Sequence, residues 1–187
     1  AGRVHFRVKD RDRDLLEALN LSGFSARLHP AQQALPQDVQ LVGLPGGFSY
    51  GDYWRAGMLA SRARAVQSLP ALIAAGGLVI GVCNGFQILV EAGILPGALS
   101  YNQPPRFVHR WIEVEVTAAA ARSHSPWFRQ SRVGSRLRLP IAHAEGRYVH
   151  PQGDAVIATR VPLVYCENPN GSLADTAAVL DDSGRVL

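Results

Sequence analysis

Apolar positions recur along the chain with two spacings, and the change from one to the other outlines the fold. Val4-His5-Phe6-Arg7-Val8 alternates as a strand does. Asp12 to Leu21 places Leu15, Leu16, Ala18 and Leu19 at helical spacing, with Gly23 as its stop. A second strand is predicted at Phe24 to Leu28. After a loop containing Pro and Gln, Asp38 to Leu44 predicts a third, buried strand that ends in Pro45-Gly46-Gly47. Gly51 to Gln67 and Ala71 to Ala75 predict helices. Leu78-Val79-Ile80-Gly81-Val82 is an unbroken small-and-apolar run of the kind found in the middle of a parallel sheet. Asn84 to Ala92 predicts a helix stopped by Gly93. This alternation of strands and helices predicts an α/β domain with a doubly wound, mainly parallel sheet. From Phe107 the texture changes: Trp111-Ile112-Glu113-Val114-Glu115-Val116 alternates strictly, and short strands are predicted at Leu137 to Ala142, Val161 to Tyr165 and Thr176 to Leu180. They read as an antiparallel extension of the same sheet, within a single domain over residues 1–187.

Composition sharpens this picture at three points. With 47% apolar and 18% charged residues in 187, the chain has an ordinary globular balance. Its two cysteines, Cys83 and Cys166, make no disulfide framework and suit a reducing compartment. Lys+Arg outnumber Asp+Glu by 19 to 15, but Lys9 is the only lysine. Arg62, Arg64, Arg129, Arg132, Arg136 and Arg138 are spread along the chain without an aromatic-interleaved stripe, which argues against a nucleic-acid binder. No pair of His or Cys has zinc-ligand spacing, so no metal is expected. The N-terminus is too charged for a signal peptide. The uncharged run from Ala65 to Val90 is long enough to span a membrane, but Pro70, Gly76-Gly77, Gly81, Asn84 and Gln87 would interrupt a lipid-exposed helix. A soluble, cytoplasmic protein is expected.

The chemistry concentrates at Gly81-Val82-Cys83-Asn84-Gly85-Phe86-Gln87, between a predicted strand and a predicted helix. A nucleophile at such a turn is forced into a sharp, exposed bend, and small residues two before and two after let the bend pack. Those positions are Gly81 and Gly85. At a helix N-terminus the dipole favours the thiolate, and the backbone N–H of Asn84 faces an oxyanion formed on the attacked carbonyl. Pro45-Gly46-Gly47-Phe48-Ser49-Tyr50-Gly51-Asp52 also follows a predicted parallel strand. Loops at the carboxyl ends of parallel strands line one crevice, so the two turns should face each other. The paired glycines would leave backbone N–H groups uncovered as further oxyanion donors.

Together with Glu91 to Leu99, Pro140 to Tyr148 and Glu167 to Ser172, these two turns resemble the glutaminase subunits of phosphoribosylformylglycinamidine synthase, within the class I (triad) glutamine amidotransferases. The resemblance runs over nearly the whole chain and implies a flavodoxin-like fold. It implies that Cys83 attacks the side-chain amide of L-glutamine, that Gly47 and Asn84 hold the oxyanion, and that Gly46 and Gln87 line the substrate pocket. From the residue alone, Gln87 could equally serve a structural hydrogen bond on the helix. The resemblance further implies that ammonia passes to a synthetase subunit, which uses ATP and Mg to convert formylglycinamide ribonucleotide to the amidine in purine biosynthesis. A small accessory subunit belongs to the same picture, and this chain itself is expected to carry no cofactor and to contact neither nucleic acid nor membrane.

Two departures from the family pattern bear on the site. The family continues a Gly-x-Val-Leu stretch with Gly-Leu/Met-Met-Pro-His-Pro-Glu, whereas Gly184-Arg185-Val186-Leu187 ends this sequence. The catalytic His and Glu are therefore expected beyond Leu187, and the domain is expected to lack its C-terminal segment; a catalytically incomplete docking subunit is the alternative. His143-Ala144-Glu145 imitates the His-x-Glu pattern, but the resemblance assigns His143 and Glu145 to the pocket or a subunit interface. The family also has Phe-Pro-Gly-x-Asn before its Asp-Arg-Asp. Here Phe6-Arg7-Val8-Lys9-Asp10-Arg11 precedes Asp12-Arg13-Asp14, so no substrate contact is expected at Arg7, Val8 or Lys9.

Overall fold

A computed structural model describes residues 12–47, 62–154 and 158–187. The strand predicted at Val4 to Val8, the departure at Phe6 to Arg11, the Phe48 to Asp52 part of the glycine loop and the first part of the helix predicted from Gly51 lie outside these residues. The chain divides into two compact units, one running to Ile94 and including Val186, the other spanning Leu95–Arg185 with Leu187.

The first unit is built around a buried parallel pair. Strand β1 (Leu41–Leu44) and strand β2 (Leu78–Gly81) run side by side in register from Leu41 opposite Leu78 to Leu44 opposite Gly81. Val79 also bridges in parallel to Val186, so β2 is flanked on both edges. Leu41, Val42, Leu44 and Val79 are buried, as expected of strands covered on both faces. Helix α1 (Asp12–Leu21) packs Leu15 and Leu19 over Gly43, where an added Cβ would meet Leu15 at 3.0 Å. Gly23, at φ +87°, ends that helix, and Gly23 and Phe24 donate backbone N–H groups to Asn20 and Leu19. Two short helices, α2 (Arg64–Gln67) and α3 (Leu69–Ala74), bury Ala65, Val66 and Leu69. Pro70 lies in the first turn of α3, where its missing N–H costs no hydrogen bond. Helix α4 (Asn84–Glu91) buries Ile88 and Leu89.

Two differences from the predicted elements stand out here. Phe24 to Leu28 forms no strand, and Phe24 and Leu28 are 38% and 50% exposed rather than packed as a sheet residue would be. The third strand begins at Leu41 rather than Asp38, since only its last four residues pair with β2.

The second unit is antiparallel. Strand β3 (Ala98–Ser100) pairs with β6 (Arg147–Val149). Strand β4 (Val108–Val116) lies between β5 (Arg136–His143) and β7 (Leu163–Tyr165), with β8 (Thr176–Ala178) next to β7. The α/β class and the parallel pair match expectation; the antiparallel strands, read as an extension of that sheet, form two ladders of their own. Strict alternation along β4 buries Ile112, Val114 and Val116 on one face of the larger ladder. Val116 joins Ala120, Phe128 and Leu180 there, with Trp127, Leu163 and Leu187 packed alongside. Helix α5 (Ala118–Arg122) starts at Thr117, whose Oγ1 accepts from the Ala119 N–H and donates to the Val161 carbonyl.

Candidate active site

The strand-to-helix turn after β2 has the strained form that the glycine spacing predicts. Cys83 sits at φ 54°, ψ −111°, a backbone conformation costly for a residue with a Cβ, immediately before the first residue of α4. Its neighbours show what holds it there. A Cβ on Gly85 would lie 2.1 Å from the Leu44 carbonyl oxygen, and one on Gly81 would lie 2.6 Å from Leu89 and 2.7 Å from the Gly85 oxygen. Both glycines are thus demanded by close packing of the bend against the end of β1 and the body of α4. The turn is tied further by the Val82 N–H to the Leu44 carbonyl (2.9 Å), the Gly85 N–H to the Val82 carbonyl (2.9 Å) and the Gln87 N–H to the Cys83 carbonyl (3.0 Å).

The thiol at the apex is exposed, and Sγ donates a weak hydrogen bond to Asn84 Oδ1 at 3.5 Å. The loop after β1 comes directly against it. A Cβ on Gly46 would stand 3.0 Å from Cys83 Cβ and 3.8 Å from its Sγ, so the two turns do face each other and only bare backbone fits between them. Gly47 follows at φ +126°. Among the described residues the backbone N–H groups of Gly47 and Asn84 make no hydrogen bond. Gln87 lies one helical turn after Cys83, is half-buried, and its side-chain amide has no hydrogen-bond partner among the described residues. One unit therefore brings Cys83, Asn84, Gly46, Gly47 and Gln87 together.

His143 and Glu145 belong to the other unit, at the turn between β5 and β6. Asn102, 2% exposed, organises that turn. Its Nδ2 donates to the carbonyls of Arg106 and His143, each at 2.9 Å, which fixes the amide orientation. Its Oδ1 accepts from the Gly146 N–H at 3.1 Å and contacts His143 Nδ1 at 3.2 Å. An amide oxygen only accepts, so His143 Nδ1 carries the proton and Nε2 is the free lone pair of the neutral ring. Burial lowers the His143 pKa below 6.5, opposed by a backbone hydrogen bond. Gly146 lies under the imidazole, where a Cβ would be 2.5 Å from the ring.

The segment around Asn170 completes the same lattice. Asn170 is fully buried, donates through Nδ2 to the Gly146 carbonyl at 2.7 Å, and accepts from Ser172 Oγ at 2.7 Å. Ser172 Oγ in turn accepts from the Tyr148 N–H at 3.0 Å, and the Tyr148 hydroxyl donates to the Pro96 carbonyl at 2.9 Å. Burial pushes the Tyr148 phenol up to about 12, with the Arg160 charge acting the other way. Sequence reasoning missed Asn102 and gave Asn170 no role; two asparagines and a serine within Asn168 to Ser172 were the available signal.

Comparison with known proteins agrees with this geometry. A family described as CobB/CobQ-like glutamine amidotransferase domain matches residues 9–187. The chain is 39% identical over its full length to phosphoribosylformylglycinamidine synthase subunit PurQ of Cereibacter sphaeroides, covering 84% of that protein. It is 43% identical to PurQ of Rhizobium johnstonii, with 95% of this chain and 81% of that protein covered. Among solved structures, PurLQS from Thermotoga maritima superposes with a TM-score of 0.86 at 37% identity, over 99% of this chain and 82% of the other. A glutamine amidotransferase of the same organism shares the fold, with a TM-score of 0.53 at 19% identity. A strained cysteine held between two glycine turns, and similarity that runs from end to end, place this chain in the family of glutamine amidotransferase subunits of phosphoribosylformylglycinamidine synthase.

Proposed function

We propose that this chain is the glutaminase of phosphoribosylformylglycinamidine synthase, with Cys83 as its nucleophile. The observation that carries the reading is the apex position of Cys83, strained, exposed and backed by the bare backbone of Gly46. The Cys83 thiol gives its proton to a general base, and Sγ forms a bond to the side-chain carbonyl carbon of glutamine. The negative charge that gathers on oxygen meets the N–H groups of Asn84 and Gly47. The carbon–nitrogen bond then breaks, the leaving nitrogen takes a proton and departs as ammonia, and water hydrolyses the glutamyl thioester to glutamate. Gln87, one turn along α4 on the Cys83 side, supplies an amide to hold the substrate, beside the uncovered backbone of Gly46.

Ammonia is consumed by a synthetase subunit, which binds the nucleotide and its metal ion and forms the amidine. The similarity to PurQ subunits and to PurLQS from Thermotoga maritima supports that partnership.

The test is Cys83→Ala in the reconstituted complex. Glutamine-dependent synthesis should vanish while synthesis from added ammonia persists, and an electrophilic glutamine analogue should add one adduct, to Cys83, in the parent protein alone. Loss of both syntheses, or an adduct elsewhere, rejects the proposal.

A further inference from the structure

The direction in which the Cys83 sulfur points is set by its neighbours. Cys83 is the N-cap residue of α4, yet its side chain caps no backbone N–H of that helix. Sγ turns instead to the next side chain and donates to Asn84 Oδ1 at 3.5 Å. The backbone of Gly46 closes in as well, since an added Cβ there would lie 3.8 Å from Sγ. An amide oxygen accepts and cannot donate, so in this arrangement the sulfur carries its proton.

Two influences therefore oppose each other at one atom. The N-terminus of α4 favours negative charge on the sulfur. The Asn84 side-chain carbonyl presents the negative end of its dipole and favours the neutral thiol, as a hydrogen bond from a neutral form does. On the elements that build the elbow, from Leu41 to Gly47, from Leu78 to Val82 and along α4, the first charged side chain is Glu91, the last residue of the helix. No carboxylate or guanidinium on these elements outweighs the amide. Once the proton leaves, the requirement reverses. A carbonyl oxygen beside a thiolate repels it, so the Asn84 carboxamide has to swing away or present Nδ2 to the sulfur.

We propose that the Asn84 side chain is a positioning residue of the glutaminase: its Oδ1 holds the Cys83 thiol protonated at rest, and rotation of the carboxamide accompanies ionisation. This rests on the function proposed above, and gives Asn84 a task beyond that of its backbone N–H. The proton itself goes to the general base, because an amide oxygen is too weakly basic to take it. The consequence is an exposed cysteine that stays in its less reactive form until the amide turns.

The test measures the pH dependence of Cys83 alkylation by iodoacetamide in the full chain, with Cys166→Ser throughout because that thiol is exposed as well. Alanine is a good helix former, and aspartate suits a first helical turn, so Asn84→Ala and Asn84→Asp both keep the start of α4. Asn84→Ala removes the acceptor and should lower the alkylation midpoint by about half a pH unit, which raises the rate at pH 7 about threefold. Asn84→Asp puts a formal negative charge in the same place and should raise the midpoint by about one pH unit. In the complex reconstituted with the synthetase, the acid limb of glutamine-dependent synthesis should move in the same two directions. A residue needed only for the fold would lower rates without moving the profiles in opposite senses. A parent-like midpoint in Asn84→Ala overturns the proposal, and so does an upward shift, which would mean that the amide donates to a resting thiolate. A parent-like midpoint in Asn84→Asp overturns it too, because the side chain then does not face the sulfur. The functional reading fails separately, if Cys83→Ala retains glutamine-dependent synthesis whatever the alkylation profiles show.

Discussion

The elbow at Cys83 works because two neighbouring positions have no side chain. Gly85→Ala would drive a methyl group to 2.1 Å from the Leu44 oxygen. Backbone cannot yield as a flexible side chain can, so the expected loss is about 3 kcal/mol or more, at the upper end of overpacking effects. Gly93→Ala has nothing within 4 Å of its added carbon and strains only φ +70°, at about 1 kcal/mol. Urea midpoints of the two variants should separate accordingly. The glycine spacing around Cys83 was legible in the sequence because the need for it is local. Asn102 was not, since the bonds that give it meaning reach His143 and Gly146, 41 and 44 residues away. His143 adds a pH signature. Its pKa is depressed in the folded protein by burial, so the unfolded chain takes up the proton first. Its contribution to stability is present above pH 6.5 and is lost as pH falls through the lower folded value. Stability measured from pH 7.5 down to 5 should decline less steeply in His143→Gln than in the parent.

At the level of elements, legibility followed burial. Strand β2 and helix α4 were readable because both present continuous or periodic apolar residues to one surface, and Val79, Ile88 and Leu89 are buried as that pattern requires. Phe24 to Leu28 carries the same apolar signal, yet Phe24 and Leu28 stay exposed and the segment forms no strand. The four strands of the larger antiparallel sheet are each legible in the sequence, whereas the three-residue β3 and β6 are not, and the pairing order β5-β4-β7-β8 depends on contacts that span most of the second unit. Helix α5 is too short to hold by its own hydrogen bonds, so its start at Thr117 matters. Thr117→Ala removes both the cap on Ala119 and the bond to Val161; a loss of about 1–2 kcal/mol is expected. Thr117→Ser, which keeps the hydroxyl, should recover most of it in the same thermal unfolding experiment.

Across the whole molecule, the two units draw on different kinds of structure. The first unit gathers Cys83 and bare glycine backbone at the ends of two parallel strands, whereas the second commits asparagines, a serine and a tyrosine to holding loops. Among the described residues no helix is long and apolar enough to cross a membrane. The lattice in the second unit also sets how this chain reaches its native state. The bonds of Asn102 to His143 and Gly146 close 41 and 44 residues, and that of Tyr148 to Pro96 closes 52. Closure entropy for such loops is spent before any of these bonds returns energy, so they form after the rate-limiting step. In a stopped-flow chevron, Asn102→Ala should leave the refolding arm in place and raise the unfolding arm. Asn102 then acts as a latch on the lifetime of the folded protein rather than a guide to its formation.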